Sequence, residues 1–301
     1  MTPMKIVGLM PVRNEDWCLG LTARAALKVV DHLIIFDHAS TDRTPEIARE
    51  IIAEASYHQV VYNREEDPTW REMAHRQWML DAARRLGATH IVMIDADELL
   101  TGNIQPDLIR SLIGRLTYGE VLQLPWLALP RSIDKYIAGG VWGNGQFVSM
   151  AFKDSVDAHW TARAGYDFHH RNPMGLPAGA WVKPLAPSQG GLMHMQFLSE
   201  RRLRAKQALY KMTETVKNPN NLLGRKATVA EMDATYSRAV YESQPTKVVC
   251  LNCPAPWWAP YREILSGLHI DAEPWQEAEC KRLMAEHGAE KFKELDLFGV
   301  V

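Results

Sequence analysis

Short apolar segments alternate with helix-like segments through the first third of the chain. The apolar segments are rich in β-branched residues and end abruptly in polar ones, as strands buried in a parallel sheet do. They are Lys5–Val12, His32–Phe36, Gln59–Tyr62 and His90–Ile94. Helical patterns lie between them, at Trp17–Val30, Glu46–Ala55 and Thr69–Leu86. This alternation predicts βαβ units, and therefore an α/β fold with a mostly parallel central sheet flanked by helices.

Polar residues directly follow three of these four strands. Asn14 and Glu15 come after the first strand, Asp37 after the second, and Asp95 with Asp97 after the fourth. The carboxyl ends of parallel strands lie at one edge of a sheet, which is where ligands bind in open α/β folds. The sequence therefore predicts one functional site built from these three loops.

The acidic run after the fourth strand, Asp95-Ala96-Asp97-Glu98, carries the strongest chemical signal. Carboxylates at the end of a buried strand are costly unless a cation faces them. Alternate residues of a strand point the same way, so Asp95 and Asp97 would share one target. Mg2+ and Mn2+ take carboxylate oxygens and often keep substrate phosphates as further ligands. A solvated acidic loop is the alternative.

Composition excludes several classes of protein. The 301 residues carry a formal net charge of −2 and no polybasic run, so a nucleic-acid partner is not expected. No apolar run approaches the roughly 20 residues that span a bilayer, and the N-terminus does not read as a signal peptide. Cys250 and Cys253 form a lone C-x-x-C among four scattered cysteines, which fits a reducing, cytoplasmic setting.

The rest of the chain has a less regular pattern. Val121–Leu129 is apolar with an internal Pro125, which predicts an edge or bent strand, and Gly191–Phe197 predicts another strand. Four further segments predict helices, three of them in the C-terminal region. They are Pro106–Leu116, Glu200–Val216, Arg225–Glu242 and Pro274–Leu295.

Three motifs, each after a predicted strand, together resemble those of glycosyltransferase family two. They read P-V-R-N-E after the first strand, F-D-H-A-S-T-D-R-T after the second and D-A-D-E after the fourth. A looser match follows in Gly191–Lys206, GLMHMQFLSERRLRAK, which is similar to the histidine-serine-helix ending of some members. The resemblance implies the GT-A fold and transfer of a sugar from a nucleotide-sugar donor, with Mn2+ or Mg2+ as cofactor.

The resemblance also implies a domain organisation and a substrate class. Residues 1–222 would form the glycosyltransferase domain, with a nucleotide-sugar-binding half (1–100) and an acceptor half (101–222), and residues 223–301 a helical extension. The enzyme would be of the hexosyltransferase type. It would use a UDP- or GDP-sugar and a glycan acceptor, in the assembly of a polysaccharide or glycoconjugate.

Site roles follow from the same resemblance. Asp97 would ligate the metal, and Asp95 would contact the ribose or the sugar. Asp37 would bind the nucleotide base or ribose, with helix capping as the alternative, although His38 and Ala39 follow it where the family usually has acids. Pro11 and Arg13 would shape the nucleotide pocket, and Glu15 would touch the nucleoside. A helix-dipole partner is the alternative for Glu15.

A catalytic base is not identified by the resemblance, because no clear glutamate-aspartate pair follows the D-x-D. An acceptor hydroxyl must lose a proton as it attacks, and in inverting transfer an aspartate or glutamate usually takes it. The candidates in this region are Asp134, Asp154, Asp157 and Asp167.

His194 lies in an apolar stretch, so it needs a polar partner. That partner is either a neighbouring carbonyl or carboxylate, or the cation itself, in which case His194 is a second metal ligand. Imidazole suits Mn2+ better than Mg2+. Arg202 and Lys206, four apart on one helical face, would then face the diphosphate.

Two other functions stay open. A sugar-nucleotide nucleotidyltransferase shares the sheet and the metal chemistry but usually needs a glycine-rich loop after the first strand, which P-V-R-N-E is not. A non-catalytic nucleotide- or sugar-binding module is the other. A dinucleotide oxidoreductase is disfavoured, because no G-x-G-x-x-G follows any predicted strand.

Overall fold

The computed structural model describes residues 3–55, 59–138, 146–162, 171–217, 229–230, 249–265, 268–270 and 272–301. Its helices are α1 Leu19–Ala26, α2 Thr44–Glu54, α3 Glu72–Arg85, α4 Pro106–Gly114, α5 Glu200–Lys217, α6 Ala255–Trp258, α7 Arg262–Leu265 and α8 Trp275–His287. Its strands are β1 Ile6–Val12, β2 His32–His38, β3 Val60–Glu65, β4 His90–Met93, β5 Glu98–Leu100, β6 Val121–Ala128, β7 Lys135–Ile137, β8 Phe147–Lys153, β9 Trp181–Val182, β10 Leu192–His194 and β11 Cys250–Asn252.

The main sheet has nine strands within this part of the chain, in the order β3-β2-β1-β4-β8-β6-β10-β5, with β9 beside β6. Strands β3, β2, β1 and β4 run parallel, whereas β8 runs antiparallel to both β4 and β6. A separate two-stranded sheet pairs β7 with β11. The prediction of an α/β fold with a mostly parallel central sheet is confirmed.

Helices cover both faces of this sheet. One apolar cluster packs α1, α2 and α4 against it through Leu19, Ile51 and Ile109. The other packs α3 through Met79 and Leu80. A sheet buried on both faces explains why its parallel strands read as continuous apolar runs.

Some boundaries differ from the sequence expectation. Helix α3 begins at Glu72 rather than Thr69, because the Asp67 carboxylate accepts the Thr69 N–H at 2.9 Å and closes a turn there. Gly87, with φ of 79°, ends it as predicted. The predicted strand Gly191–Phe197 is shorter, because a 3₁₀ turn begins at Met195.

Strand β6, which contains Pro125, lies inside the sheet between β8 and β10, so the edge alternative was wrong. Pro125 pairs with Phe147 at the end of the β8 register. A register shift between Leu122 and Gln123 makes β6 irregular, as the bent alternative expects.

The chain divides into two compact units. Unit 1 comprises Met1–Trp126, Phe147–Met193 and Pro254–Leu268, and unit 2 comprises Leu127–Gln146, His194–Cys253 and His269–Val301. The predicted domain boundary at 222 lies outside the described residues, and these units divide the chain elsewhere. Most of the predicted helix Arg225–Glu242 also lies outside them.

Unit 2 contains the long helix α5. It packs on α8 through a cluster that includes Leu209, Met212 and Leu283, so the C-terminal region is helical, although α8 ends at His287 rather than Leu295. Within the described part of the chain, none of the helices has the length and apolarity that crossing a membrane requires.

Candidate functional site

The loops after β1 and β2 are hydrogen-bonded to one another. Asn14 adopts a left-handed φ of 53°, donates its N–H to Ser40 Oγ at 2.8 Å and accepts the Thr41 N–H on Oδ1 at 2.6 Å. The Glu15 N–H is donated to Thr44 Oγ1 at 2.9 Å. Asparagine tolerates this conformation, and its amide crosslinks the two loops.

The turn after β4 joins the same loops. Cys18 Sγ lies 3.2 Å from the carbonyl oxygen of Ala96, in the middle of the acidic run. The structure therefore brings together the loops that follow β1, β2 and β4, at the carboxyl ends of three neighbouring parallel strands. This is the arrangement that the three polar clusters predicted.

The acidic run is a turn rather than a continuation of the strand. Strand β4 ends at Met93, and the Glu98 N–H is donated to the Asp95 carbonyl at 3.0 Å. The alternation argument for a shared target of Asp95 and Asp97 therefore does not apply.

Asp37 is fully buried at the end of β2, with 0% of its surface exposed. Its Oδ1 accepts the Ser40 N–H at 3.0 Å, its Oδ2 accepts the Tyr62 hydroxyl at 2.6 Å, and Arg64 Nη1 lies 3.7 Å away. Burial, together with the Asp37 carboxylate, raises the pKa of Tyr62. Contact between Asp37 and a nucleotide stays a prediction, and it would require Tyr62 to move.

Residues 11–15 are placed at the rim by backbone pairing and local contacts. Pro11 pairs with Phe36 in the β1–β2 register, Arg13 Nη1 donates to the Pro68 carbonyl at 3.0 Å, and Glu15 accepts the Trp17 indole N–H at 2.6 Å. The nucleotide-pocket role of Pro11, Arg13 and Glu15 stays a prediction.

An aromatic and histidine cluster flanks this rim. The ring of His38 lies 5.8 Å from Trp70 and 4.6 Å from His75, and its Nε2 lies 3.0 Å from the Thr69 carbonyl. His75 Nε2 lies 2.7 Å from a Glu65 carboxylate oxygen. Burial, with the nearby Arg13 and His75, lowers the pKa of His38 from 6.5 to about 4.

This shift predicts a loss of stability in acid. A folded-state pKa below the ordinary value means that the unfolded chain binds the proton first, so the stabilisation is complete above pH 6.5 and is lost as the pH falls towards 4. Denaturant unfolding of the wild type and His38→Gln at pH 7 and pH 4.5 measures it. The wild type should lose more stability than the variant, and equal losses would contradict this assignment.

Two arginines surround the Asp95 carboxylate. Arg76 Nη2 lies 3.4 Å from Oδ1 and Arg171 Nη1 lies 3.2 Å from Oδ2. Each arginine also has a closer carboxylate: Arg76 Nε donates to Glu72 at 2.8 Å, and Arg171 donates two bonds of 2.8 Å to Glu98. Among the described residues, these two guanidinium groups therefore compensate the charges of Asp95 and Glu98.

Glu98 is the buried centre of this network, with none of its side chain exposed. It accepts the Trp126 indole N–H at 3.1 Å in addition to the Arg171 bonds. Arg171 also donates to the carbonyls of Met93 and Ser149, both at 2.6 Å. Arg171 therefore connects the turn to the end of β4 and to β8.

The charges of this network fit a divalent cation bound together with phosphate. Three carboxylates (Glu72, Asp95, Glu98) against two guanidinium groups (Arg76, Arg171) leave a formal charge of −1, and Asp97 on the same turn is buried. The part of the chain that the structure describes has no group of three or more histidine, cysteine or acidic residues arranged as a metal site. Mg2+ and Mn2+ often need only one or two protein carboxylates beside substrate phosphates and water, and the acidic turn carries Asp95 and Asp97.

The candidate bases differ in their surroundings. Asp154 accepts two bonds of 2.9 Å from Arg84, so it anchors a loop. Asp157 is exposed in unit 1, Asp134 is exposed in unit 2, and Asp167 lies outside the described residues. The catalytic role of Asp157, Asp134 or Asp167 stays a prediction.

His194, Arg202 and Lys206 belong to unit 2, whereas Asp95 and Asp97 belong to unit 1. His194 is buried with its ring 5.3 Å from Phe197. Arg202 Nε donates to the Ile270 carbonyl at 3.1 Å, a structural contact that the sequence did not indicate. Metal ligation by His194 and diphosphate contact by Arg202 and Lys206 stay predictions.

Comparisons with known proteins give only distant similarity. No protein-family model matches the sequence, and neither does any curated protein. Solved structures that are similar in fold include S. aureus TarS 1-349 in complex with UDP, at 11% identity over 81% of this chain and 73% of that one, with a TM-score of 0.45. Another is the mannosyltransferase PcManGT from Pyrobaculum calidifontis in complex with GDP-Man and Mn2+, at 13% identity over 95% of this chain and 87% of that one, with a TM-score of 0.40. At such values the likeness does not identify the reaction of this chain.

Proposed function

We propose that this protein is a GT-A-type glycosyltransferase, which moves a sugar from a nucleotide-sugar donor to a hydroxyl acceptor with Mn2+ or Mg2+ as cofactor. The observation that carries the proposal is the joining of the loops after β1, β2 and β4 at one rim of the parallel sheet, with the acidic turn among them. The motifs on these loops are those that resemble glycosyltransferase family two.

Asp97 and Asp95 would hold the cation. When bound, the cation neutralises the charge that develops on the departing nucleoside diphosphate. Arg171 and Glu98 fix the turn that carries both aspartates, because the guanidinium group donates two bonds to the buried Glu98 carboxylate. The loop of Pro11, Arg13 and Glu15, together with Asp37, would shape the nucleoside site.

The substrates follow from the same proposal. The donor is a UDP- or GDP-sugar, and the acceptor is a saccharide or another hydroxyl compound. Transfer is inverting, with Asp157, Asp134 or Asp167 as the base that takes the acceptor proton.

Nucleotide binding that depends on a divalent cation is the expected result for this site. Melting temperatures with UDP and GDP, each with Mn2+ and with chelator, test it, because a ligand at 100 times its dissociation constant stabilises by about 2.7 kcal/mol. Sugar release from the matching nucleotide sugar then tests transfer. Equal stabilisation in chelator would show that nucleotide binding does not need the cation. Release of pyrophosphate from a nucleoside triphosphate and a sugar phosphate would favour a nucleotidyltransferase instead.

A further inference from the structure

We propose that Arg76 and Arg171 form the phosphate-binding pair of this site, and that the Asp95 carboxylate holds the phosphate position between them until a phosphate replaces it. This rests on the proposed function, because the phosphate would be that of the nucleotide donor. The pair gives the diphosphate two binding residues in unit 1, Arg76 on α3 and Arg171 in the segment that precedes β9.

The distances separate permanent partners from an exchangeable one. The nitrogen–oxygen distances are 2.8 Å from Arg76 to Glu72 and 2.8 Å from Arg171 to Glu98. The distances to Asp95 are longer, at 3.4 Å from Arg76 and 3.2 Å from Arg171. If Asp95 turns away, each arginine retains a carboxylate, so neither buried charge is left without compensation.

Exposure points to the same residue. The Asp95 side chain is 35% exposed, against 7% for Arg76, 14% for Arg171 and 0% for Glu98. Asp95 is therefore the member of the network that solvent reaches, and the arginines lie behind it. An anion approaching from solvent meets the position of Asp95 first.

The arginine N–H groups that Asp95 would release suit a phosphate oxygen. In Arg171, Nε donates to the Ser149 carbonyl, and Nη2 donates to the Met93 carbonyl and to Glu98. Departure of Asp95 would therefore free an N–H on Nη1. On Arg76 it frees an N–H on Nη2. Two guanidinium donors converging on one position favour a tetrahedral oxyanion, because phosphate accepts charge-assisted bonds from several directions.

Calorimetric titration with inorganic pyrophosphate in chelator tests this pair, since it requires neither nucleoside nor metal. Asp95→Asn removes the competing carboxylate and should bind pyrophosphate about tenfold more tightly than the wild type. Arg76→Gln should bind about tenfold more weakly, the size expected for one hydrogen bond between charged groups. The matched control is Arg84→Gln on the same helix, whose partner is Asp154, and it should bind like the wild type.

The signs of these changes decide the outcome. If Asp95 is purely structural, Asp95→Asn should bind pyrophosphate as tightly as the wild type or more weakly. That result, or a wild type that does not bind pyrophosphate, would contradict the proposal that Arg76 and Arg171 bind phosphate. If Arg76→Gln does not fold, Asp95→Asn decides alone. Metal-dependent binding of UDP or GDP without these pyrophosphate effects would support the proposed function and contradict the arginine pair. The expected pyrophosphate effects without sugar transfer would support the arginine pair and contradict the proposed function.

Discussion

Replacing Arg171 with methionine is expected to lower the free energy of unfolding by about 3–5 kcal/mol, the usual cost of leaving one partner of a buried ion pair alone. Glu98 has no exposed surface, so its charge would have to stay buried or take up a proton. The carbonyls of Met93 and Ser149 would lose a donor as well. Chemical denaturation with linear extrapolation measures the change.

A second substitution separates the charge from the packing. Arg171→Met combined with Glu98→Gln removes the uncompensated carboxylate and keeps an acceptor for the Trp126 indole. The double variant should recover part of the lost stability. A double variant as unstable as the sum of the two single changes would show that the ion pair is not the source of the effect.

The largest effect on activity is expected for Asp97→Asn. The amide keeps the size of the side chain and removes the charge that would hold the cation. Loss of one metal ligand should lower kcat for sugar transfer about a hundredfold or more, because the cation supplies several kcal/mol of transition-state stabilisation. The comparison is a titration of kcat against Mn2+ for the wild type and the variant.

Asp107→Asn is the matched control, since Asp107 is an exposed aspartate in the first turn of α4. It should leave kcat and its Mn2+ dependence unchanged. If Asp97→Asn behaves in the same way, the cation is not held by Asp97.

The sequence was sufficient for the four parallel strands of the first third of the chain and for the rim, but not for β8, which lies beside β4 in the sheet. Buried parallel strands read as apolar runs because both faces are covered, and polar residues mark where they end, so the ends of β1, β2 and β4 were predictable. The positive φ of Gly87 also has a local sequence signal. The burial of Asp37 was not predictable, since its partner Tyr62 comes from a neighbouring strand 25 residues away.

The same limit applies to the cations beside the acidic turn. The sequence indicated that a cation must face these carboxylates, and a metal ion was the interpretation. Arg171 is 73 residues from Glu98, and no local period connects them. The ion pair of Arg76 does have a local sequence signal, because Glu72 lies four residues before it on the same helix, the spacing of a helical ion pair.

The segment Pro254–Leu268 has a consequence for how the protein is made. It belongs to unit 1, where the Tyr261 hydroxyl donates to the carbonyl of Leu100, 161 residues earlier, and the Gly102 N–H is donated to the Trp257 carbonyl at 2.7 Å. During synthesis on the ribosome, β5, which ends at Leu100, therefore emerges long before Trp257 and Tyr261. Contacts of such sequence separation slow folding, so unit 1 is expected to complete late in synthesis, and a nascent chain stalled before residue 254 would lack part of its packing.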